Sequence, residues 1–574
     1  MFRNHQLPLV FCVPIVRHCG LIWTEAQTFV RNSNHGAIWH SSCLLVDRVV
    51  IGYVRFSVWA NSPLDVEISP MHPDDEIASV FEDRAPLTTR GAIDEIVFEG
   101  LRRSAIQPAK LCSDQVFLRR VYLDVIGKLP TVEEASGFFG DSSLNKRAVL
   151  IDQLLLRDEF ADYWAMKWSD LLRVKAEFPI NLWPMGAAEY YKWIVAAIRK
   201  NQPYDQFARD LLTSSGSNFR EGPVNFYRAV QGRGPDVVAQ AVALTFMGTR
   251  IEHWPETRRR DLAAFFSQLA YKPTGEWKEE IVIYDPGKPL PRAEVAFPDG
   301  SRARLEPGRD PRQAFADWLT SPGNPWFARN LVNRIWAWLL GRGIVHEPDD
   351  LRSDNPPAFP ELLAFLEKEL IAAGYDSKRI FRLILNSSTY QLSSIPRSEN
   401  PDRGKYFACY PVRRVDAEVL IDTICQIAGL GEQYSSAAPE PYTIMPAEQP
   451  AIGLPDGSVS SPFLELFGRP PRDTGFESER NNQTTAAQRL HLLNSTHIER
   501  KIEQSPALQQ LLRSAAGLDT AAKQLYLSIL SRYPTEAELN AILVYVNSGG
   551  GNRRQAAVDV AWALMNSAEF VYRH

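Results

Sequence analysis

An internal repeat constrains the fold of this chain more than any other feature of its sequence. The stretches 122–160 and 526–570 align with one another, and each carries a Pro-Thr pair, ending at Thr131 and at Thr535, between two apolar helical patterns. A threonine in this position can cap the helix that follows it. A third, partial copy ends in the string ILNSSTY. We therefore predict recurrent three-helix units, which are packing modules without chemistry of their own.

The remaining patterns favour a mainly α fold. Helical spacing of apolar residues runs from about Gly91 to Gln268 and resumes at Pro311, with a break at Pro203. Between these regions, two runs that alternate apolar and polar residues flank Asp299-Gly300, which is a typical hairpin turn sequence. We predict multi-helical domains with repeated three-helix units and a small β-hairpin insert near the middle.

These patterns divide the 574 residues of the chain into four parts. We predict an N-terminal region of unclear structure at 1–85, a helical domain at 86–275, a β-hairpin linker at 276–310 and a second helical domain at 311–574. A stretch rich in Pro, Ser, Ala and Gly predicts a long loop at 432–461 in the last part.

Composition excludes several classes of function. The formal net charge of −5 provides no basic field for nucleic acid. No run approaches the roughly 20 apolar residues of a transmembrane helix, and the short apolar run at 7–16 is no clear signal peptide. The six cysteines include no Cys-x-x-Cys pair and indicate isolated thiols rather than a disulfide scaffold.

Local catalytic and cofactor motifs are missing from the sequence. It contains no phosphate-binding loop, dinucleotide fingerprint, nucleophile elbow or His-Glu-x-x-His zinc helix. We predict no cofactor and no metal site, and the sequence favours a protein that is not an enzyme. A triad assembled from distant residues stays open.

Two charged clusters are the candidate catalytic residues. The string GRGIVHEPDD contains Asp349 and Asp350, and the string TGFESER contains Glu477 and Glu479. Such carboxylates could act as acid and base or bind Ca²⁺. The alternatives are a turn after a helix for the first cluster and a loop-borne set of ion pairs for the second.

Four further residues are candidate binding residues. Trp336 could form the floor of a sugar cleft beside Asn333 and Arg334, with core packing as the alternative for the tryptophan. Arg334 would be the electrostatic partner of the carboxylates, and Arg480 belongs to the second charged cluster. If the two carboxylate clusters lie within about 5–10 Å of each other across an aromatic-lined cleft, a glycoside hydrolase is favoured.

Several longer strings occur together and in a fixed order. They include FLRRVYLDVIGKLPT, NPWFARNLVNRIWAWLLGRGIVHEPDDLRSDNPP, LILNSSTYQLSS and FLELFGRPPR. From 91 to 574 the chain resembles the large planctomycete proteins that join a cytochrome-c-like domain (domain of unknown function fifteen-forty-nine) to a second domain (fifteen-fifty-three). The resemblance implies a periplasmic or exported protein but no established activity.

The chain departs from this family where relatives carry sulfur. Many relatives have a Cys-x-x-Cys-His segment, whose two thiols would attach haem. The equivalent stretch here, MGTRIEHWPETRRRDLAAFF, has no cysteine, and His253 and Trp254 are what remains of it. Where relatives carry a Cys-x-Cys-Glu-Arg string, this chain has Phe476 and Ser478. Both changes disfavour a redox role.

The sequence thus predicts a non-redox binding or structural protein of the cell envelope or exterior. Its partner would be a polysaccharide or a co-encoded envelope protein. The first alternative is a carbohydrate-active hydrolase with paired carboxylates, and the second is an electron-transfer protein, which the missing haem motif disfavours.

Overall fold

A computed structural model describes residues 80–437, 445–446, 448–547 and 552–574. All of these residues fall within one compact unit. The region predicted at 1–85 lies outside the described residues except for its end, as does part of the loop predicted at 432–461.

The described part of the chain is mainly α-helical, as the sequence predicts. The helices before the central strands are α1 Ala92–Arg103, α2 Asp114–Val125, α3 Val132–Gly140, α4 Lys146–Leu156, α5 Asp158–Leu171, α6 Trp183–Arg199, α7 Tyr204–Thr213, α8 Asn225–Arg228, α9 Pro235–Met247 and α10 Glu256–Ala264.

A second series of helices follows the central strands. They are α11 Pro311–Leu319, α12 Phe327–Leu340, α13 Pro360–Ala372, α14 Ser377–Asn386, α15 Ala417–Ala428, α16 Pro462–Leu466, α17 Ala486–Asn494, α18 Thr496–Glu503, α19 Pro506–Ser514, α20 Leu518–Leu530, α21 Glu536–Asn547, α22 Arg553–Met565 and α23 Ala568–Val571. Short 3₁₀ helices lie at Gly222–Val224, Pro401–Gly404, Ala451–Gly453 and Glu477–Glu479.

The strands of the described residues form small antiparallel sheets. They are β1 Gly216–Ser217, β2 Leu269–Pro273, β3 Glu280–Tyr284, β4 Glu294–Ala296, β5 Arg302–Arg304, β6 Arg413–Arg414 and β7 Tyr572–Arg573. One sheet has the order β1-β3-β2, and the pairs β4-β5 and β6-β7 form the others. The hairpin predicted around Asp299-Gly300 is confirmed, because Val295 of β4 pairs with Ala303 of β5.

Local capping explains several of the helix ends. Thr131 accepts a hydrogen bond from the backbone N–H of Glu134, whose side chain accepts one from Thr131 in return. Thr535 and Glu538 make the same two hydrogen bonds at the start of α21. This reciprocal arrangement is a capping box, which satisfies two backbone donors of the first turn.

Helix α12 lies at the centre of the core. Every residue from Phe327 to Leu340 is buried except Arg329. Its Trp338 packs against Trp164 of α5, with ring centroids 5.2 Å apart, and Trp164 packs in turn on Phe381 of α14. A helix buried all round must satisfy its own polar side chains internally, and Asn330, Asn333 and Arg334 of α12 are such side chains.

Three of the six cysteines lie among the described residues. Cys112, Cys409 and Cys425 are free thiols, whereas Cys12, Cys19 and Cys43 lie outside the described residues. Among the described residues, no helix combines the length and the apolar character that a membrane crossing requires.

Candidate functional site

Arg334 points from the central helix α12 onto the end of α9. Its guanidinium donates to the backbone carbonyls of Leu244 at 2.9 Å and of Thr245 at 3.1 Å. Carbonyls in the last turn of a helix have no partner within that helix, and a cation is favourable beside them. Arg334 therefore links α12 to α9 through hydrogen bonds.

The two carboxylate clusters that the sequence predicts meet at Asp349. One oxygen of Asp349 accepts from Arg334 Nη2 at 2.7 Å, and the other accepts from the backbone N–H of Glu477 at 2.6 Å. The exposed fraction is 1% for Asp349 and 0% for Arg334. The clusters thus lie in direct contact, but the contact is inside the core.

The Glu477 side chain is bound by an aromatic donor. Its carboxylate accepts a hydrogen bond from the Trp338 indole at 2.9 Å. Burial raises the pKa of the Glu477 carboxyl, and the nearby Asp349 adds to the rise, whereas the Lys167 ammonium opposes it. The Glu477 carboxyl therefore holds its proton more tightly than an ordinary glutamate does.

Arg480 binds two carboxylates at once. It donates to Asp170 at 2.6 Å and to Glu418 at 2.7 Å, and each carboxylate receives two of its hydrogen bonds. Burial alone would raise the pKa of Glu418, but the Arg480 guanidinium outweighs burial and lowers this pKa to about 2. The geometry is that of a strong, charge-assisted pair.

The ion pairs continue from this point to the C-terminal strand. Asp416 accepts from Lys167 at 3.1 Å and from Arg573 of β7 at 2.9 Å. Arg573 also donates to Asp124 of α2 at 3.0 Å. We call this set of side chains the buried ionic network; its members are Asp124, Lys167, Asp170, Asp416, Glu418, Arg480 and Arg573.

The other two candidate carboxylates serve local structure. Asp350 pairs with Arg352 at 2.7 Å. Glu479 accepts from the backbone N–H of Asp473 at 2.8 Å and so closes the turn before the 3₁₀ helix. Neither of them joins the contact between Asp349 and Glu477.

The remaining candidates lie in different environments. Asn333 exchanges two hydrogen bonds with the backbone of Val345 and so holds the chain after α12. Trp336 has no exposed surface and packs on Phe407, so it offers no ring face to a ligand. His253 is exposed, and Trp254 lies under the Arg258 guanidinium at 3.8 Å.

Most residues of the buried ionic network could not be identified from the sequence alone. Lys167 and Asp170 lie in α5 between tryptophans and leucines, and Asp416 and Glu418 open the apolar helix α15. A charged residue inside an apolar helical pattern is the one signal that could have identified them, because such residues are rarely buried unless they are paired. Within the described residues, no group of three or more side chains is arranged to hold a metal ion.

This fold and site define a large, mainly α-helical protein that is organised around buried ion pairs. Two family models match the chain, one after the other. Residues 92–261 match PSCyt2, described as a protein of unknown function (DUF1549), and residues 311–546 match PSD1, also described as a protein of unknown function (DUF1553). The order is the one that the resemblance predicted. No curated protein and no solved structure gives a significant match.

Proposed function

We propose that this chain is a non-redox binding or structural protein of the cell envelope or exterior, with a polysaccharide or a co-encoded envelope protein as its partner. One observation carries the proposal: Asp349 uses both carboxylate oxygens inside the core, on Arg334 and on the backbone of Glu477. A general acid or base must reach the proton that it transfers. A carboxylate held in this way contributes to folding instead.

The other charged candidates support the same function. Arg480 is saturated by Asp170 and Glu418, and Asp350 and Glu479 make local contacts. Asp349 and Arg480 tie together distant parts of the chain and act as cross-links of a helical scaffold, whereas Asp350 and Glu479 stabilise their own turns.

The three-helix units are part of this proposal. The capping box at Thr131 has a counterpart at Thr535, and each lies beside an arginine that pairs with the capping glutamate: Arg157 with Glu134 at 2.7 Å and Arg532 with Glu538 at 2.8 Å. We regard the two sites as equivalent positions of one packing module. The helical domains at 86–275 and 311–574, joined by 276–310, are the larger units of the proposed scaffold.

The experiment uses purified full-length protein. Its absorption spectrum tests for haem, a glycan array tests for polysaccharide binding, and a reducing-sugar assay on every bound glycan tests for cleavage. We expect binding without cleavage and no haem band. Stoichiometric covalent haem would contradict the proposal, and so would release of reducing ends that the Glu477→Gln variant abolishes.

A carbohydrate-active hydrolase is the second candidate, and one observation favours it. Glu477, with its raised pKa, lies beside the salt bridge of Asp349 and Arg334, and a carboxyl of raised pKa near a second carboxyl is the arrangement that glycoside hydrolysis uses. In that case Glu477→Gln would abolish the release of reducing ends, whereas Glu479→Gln, in the same loop, would retain it.

A further inference from the structure

A cavity of about 170 Å³ lies between helix α9 and the loop at 473–476. Arg173, Gln240, Arg250 and Phe476 contribute to its lining, and we call it the arginine cavity. At about 30 Å³ of liquid volume per water molecule, it has room for several waters or for one small ligand.

Arg173 brings an unpaired buried charge to this cavity. Its exposed fraction is 4%, and its Nε donates to the backbone carbonyl of Ala229 at 2.9 Å. Its Nη2 is buried without a hydrogen-bond partner, and the described part of the chain places no carboxylate within ion-pair distance of it. A buried cation in this situation is costly unless an anion reaches it.

The loop beside Arg173 is shaped to make room for the guanidinium. Gly475 has a φ of +76°, and a Cβ at this position would lie 2.6 Å from Arg173 Nη1. Any other residue would therefore displace the arginine head group as well as strain the backbone. The glycine keeps the guanidinium beside the cavity.

Arg250 supplies a second guanidinium that is fixed by stacking. It lies over the Phe476 ring at 4.7 Å, and its Nε is buried without a hydrogen-bond partner. Among the described residues it forms no ion pair. Stacking on an aromatic ring holds the planar fork of an arginine in one orientation, which prepares it to bind an oxyanion.

The other lining residues leave the cavity positively charged. Asp473 is neutralised by Lys175 at 2.7 Å, and Glu252 is exposed to solvent. The amide of Gln240 makes no hydrogen bond within the described part of the chain and can act as a neutral donor. The lining thus combines two guanidiniums and an amide with one carboxylate, that of Glu252, which forms no ion pair within the described part of the chain.

We propose that the arginine cavity binds a small oxyanion, a phosphate, sulfate or carboxylate group, between Arg173 and Arg250. Arginines bind such groups through paired N–H donors, and the bond is stronger where water is excluded. Neither Asp349 nor Glu477 contributes to the lining of the cavity, and the site would serve a binding protein or an enzyme equally. It therefore goes beyond the proposed function.

The test titrates full-length protein with inorganic phosphate, sulfate and acetate separately, with sodium chloride holding the ionic strength constant. Calorimetry and thermal unfolding report the binding, because a ligand of the native state raises the midpoint temperature. We expect one binding site that Arg250→Gln weakens about tenfold or more. Glu252→Gln should strengthen binding, because it removes the competing carboxylate.

Arg342→Gln is the matched control. Arg342 is also a half-buried arginine with an unpartnered Nε, but it lies outside the lining of the cavity. Binding of phosphate and sulfate alone would assign the site to tetrahedral oxyanions, and binding of acetate alone would assign it to carboxylates. The proposal is overturned if none of the three probes binds, or if Arg342→Gln weakens binding as much as Arg250→Gln does.

Discussion

The Arg573 guanidinium donates a hydrogen bond to the Asp124 carboxylate at 3.0 Å, although 449 positions of the chain separate the two residues. Asp124 also accepts hydrogen bonds from the hydroxyls of Tyr390 and Tyr410, at 2.9 and 2.8 Å. The carboxylate is fully satisfied and buried. Asp124 thus links α2 to β7 through contacts between residues that are far apart in the sequence.

Removing the cation of this pair should destabilise the protein. Arg573→Met leaves Asp124 and Asp416 without their shared partner, and losing one member of a buried pair costs about 3–5 kcal/mol. Two other cations remain: Arg413 lies 3.1 Å from Asp124, and Lys167 lies 3.1 Å from Asp416. We therefore expect a loss at the lower end of this range. Urea denaturation measures this change.

The control for this change is Lys523→Met. Lys523 pairs with Asp519 on the surface at 2.8 Å, and an exposed pair contributes less than about 1 kcal/mol. Equal losses for the two variants would show that the buried ionic network does not stabilise the fold.

Replacing Arg480 by lysine should destabilise the protein. Arg480→Lys keeps the charge but loses the fork that serves Asp170 and Glu418 together, and we expect a loss of about 2 kcal/mol in the free energy of unfolding. Arg102→Lys is the comparison, since Arg102 makes a similar two-pronged contact with Glu99 on the surface. A loss at Arg480 no larger than the loss at Arg102 would count against this role.

Acid should weaken the network in a defined pH range. The pKa of Glu418 is about 2 in the folded protein and about 4.3 in an unfolded chain. The folded state thus holds this proton less tightly, so its contribution to stability is complete above about pH 4.3 and is lost as the pH falls towards 2. Urea midpoints measured from pH 6 to pH 2 should fall less steeply for Glu418→Gln than for the unmodified protein. Identical slopes would refute the assignment.

The two capping boxes should contribute equally to the free energy of unfolding if they belong to equivalent three-helix units. Thr131→Ala and Thr535→Ala each remove a side-chain acceptor from a first helical turn, and each should cost about 1 kcal/mol. Thr→Ser at the same positions keeps the hydroxyl and should restore most of the stability. A large loss at one site and none at the other would argue against a common module.

Local features of the fold could be predicted because short-range physics determines them. The break at Pro203 separates α6 from α7, the turn at Asp299-Gly300 joins β4 to β5, and Thr131 caps α3. Each depends on a backbone conformation or a hydrogen bond within a few residues. The pairing of β2 with β3 was not predicted, because the pattern of one strand does not identify its partner.

The candidate site could be predicted only in part for the same reason. The sequence identified Asp349, Glu477 and Arg480 as charged residues in turns, but not that the first two would touch. Lys167 and Asp170 were missed, because α5 is buried on nearly all sides and helical periodicity cannot separate an inward charge from an outward one. Tertiary pairing decides which charges are buried.

Thermal and urea unfolding of Asp349→Asn tests the central claim, that the charged candidates hold the fold together, most directly. Asparagine weakens the bond to the buried Arg334 and leaves that guanidinium without a counter-charge, whereas Asp350→Asn alters only the contact of Asp350 with Arg352. We predict a loss of about 3 kcal/mol for Asp349→Asn and of no more than about 0.5 kcal/mol for Asp350→Asn. Removal of a carboxylate kept for catalysis is commonly neutral or stabilising. An Asp349→Asn variant as stable as the unmodified protein, or more stable, would contradict the account.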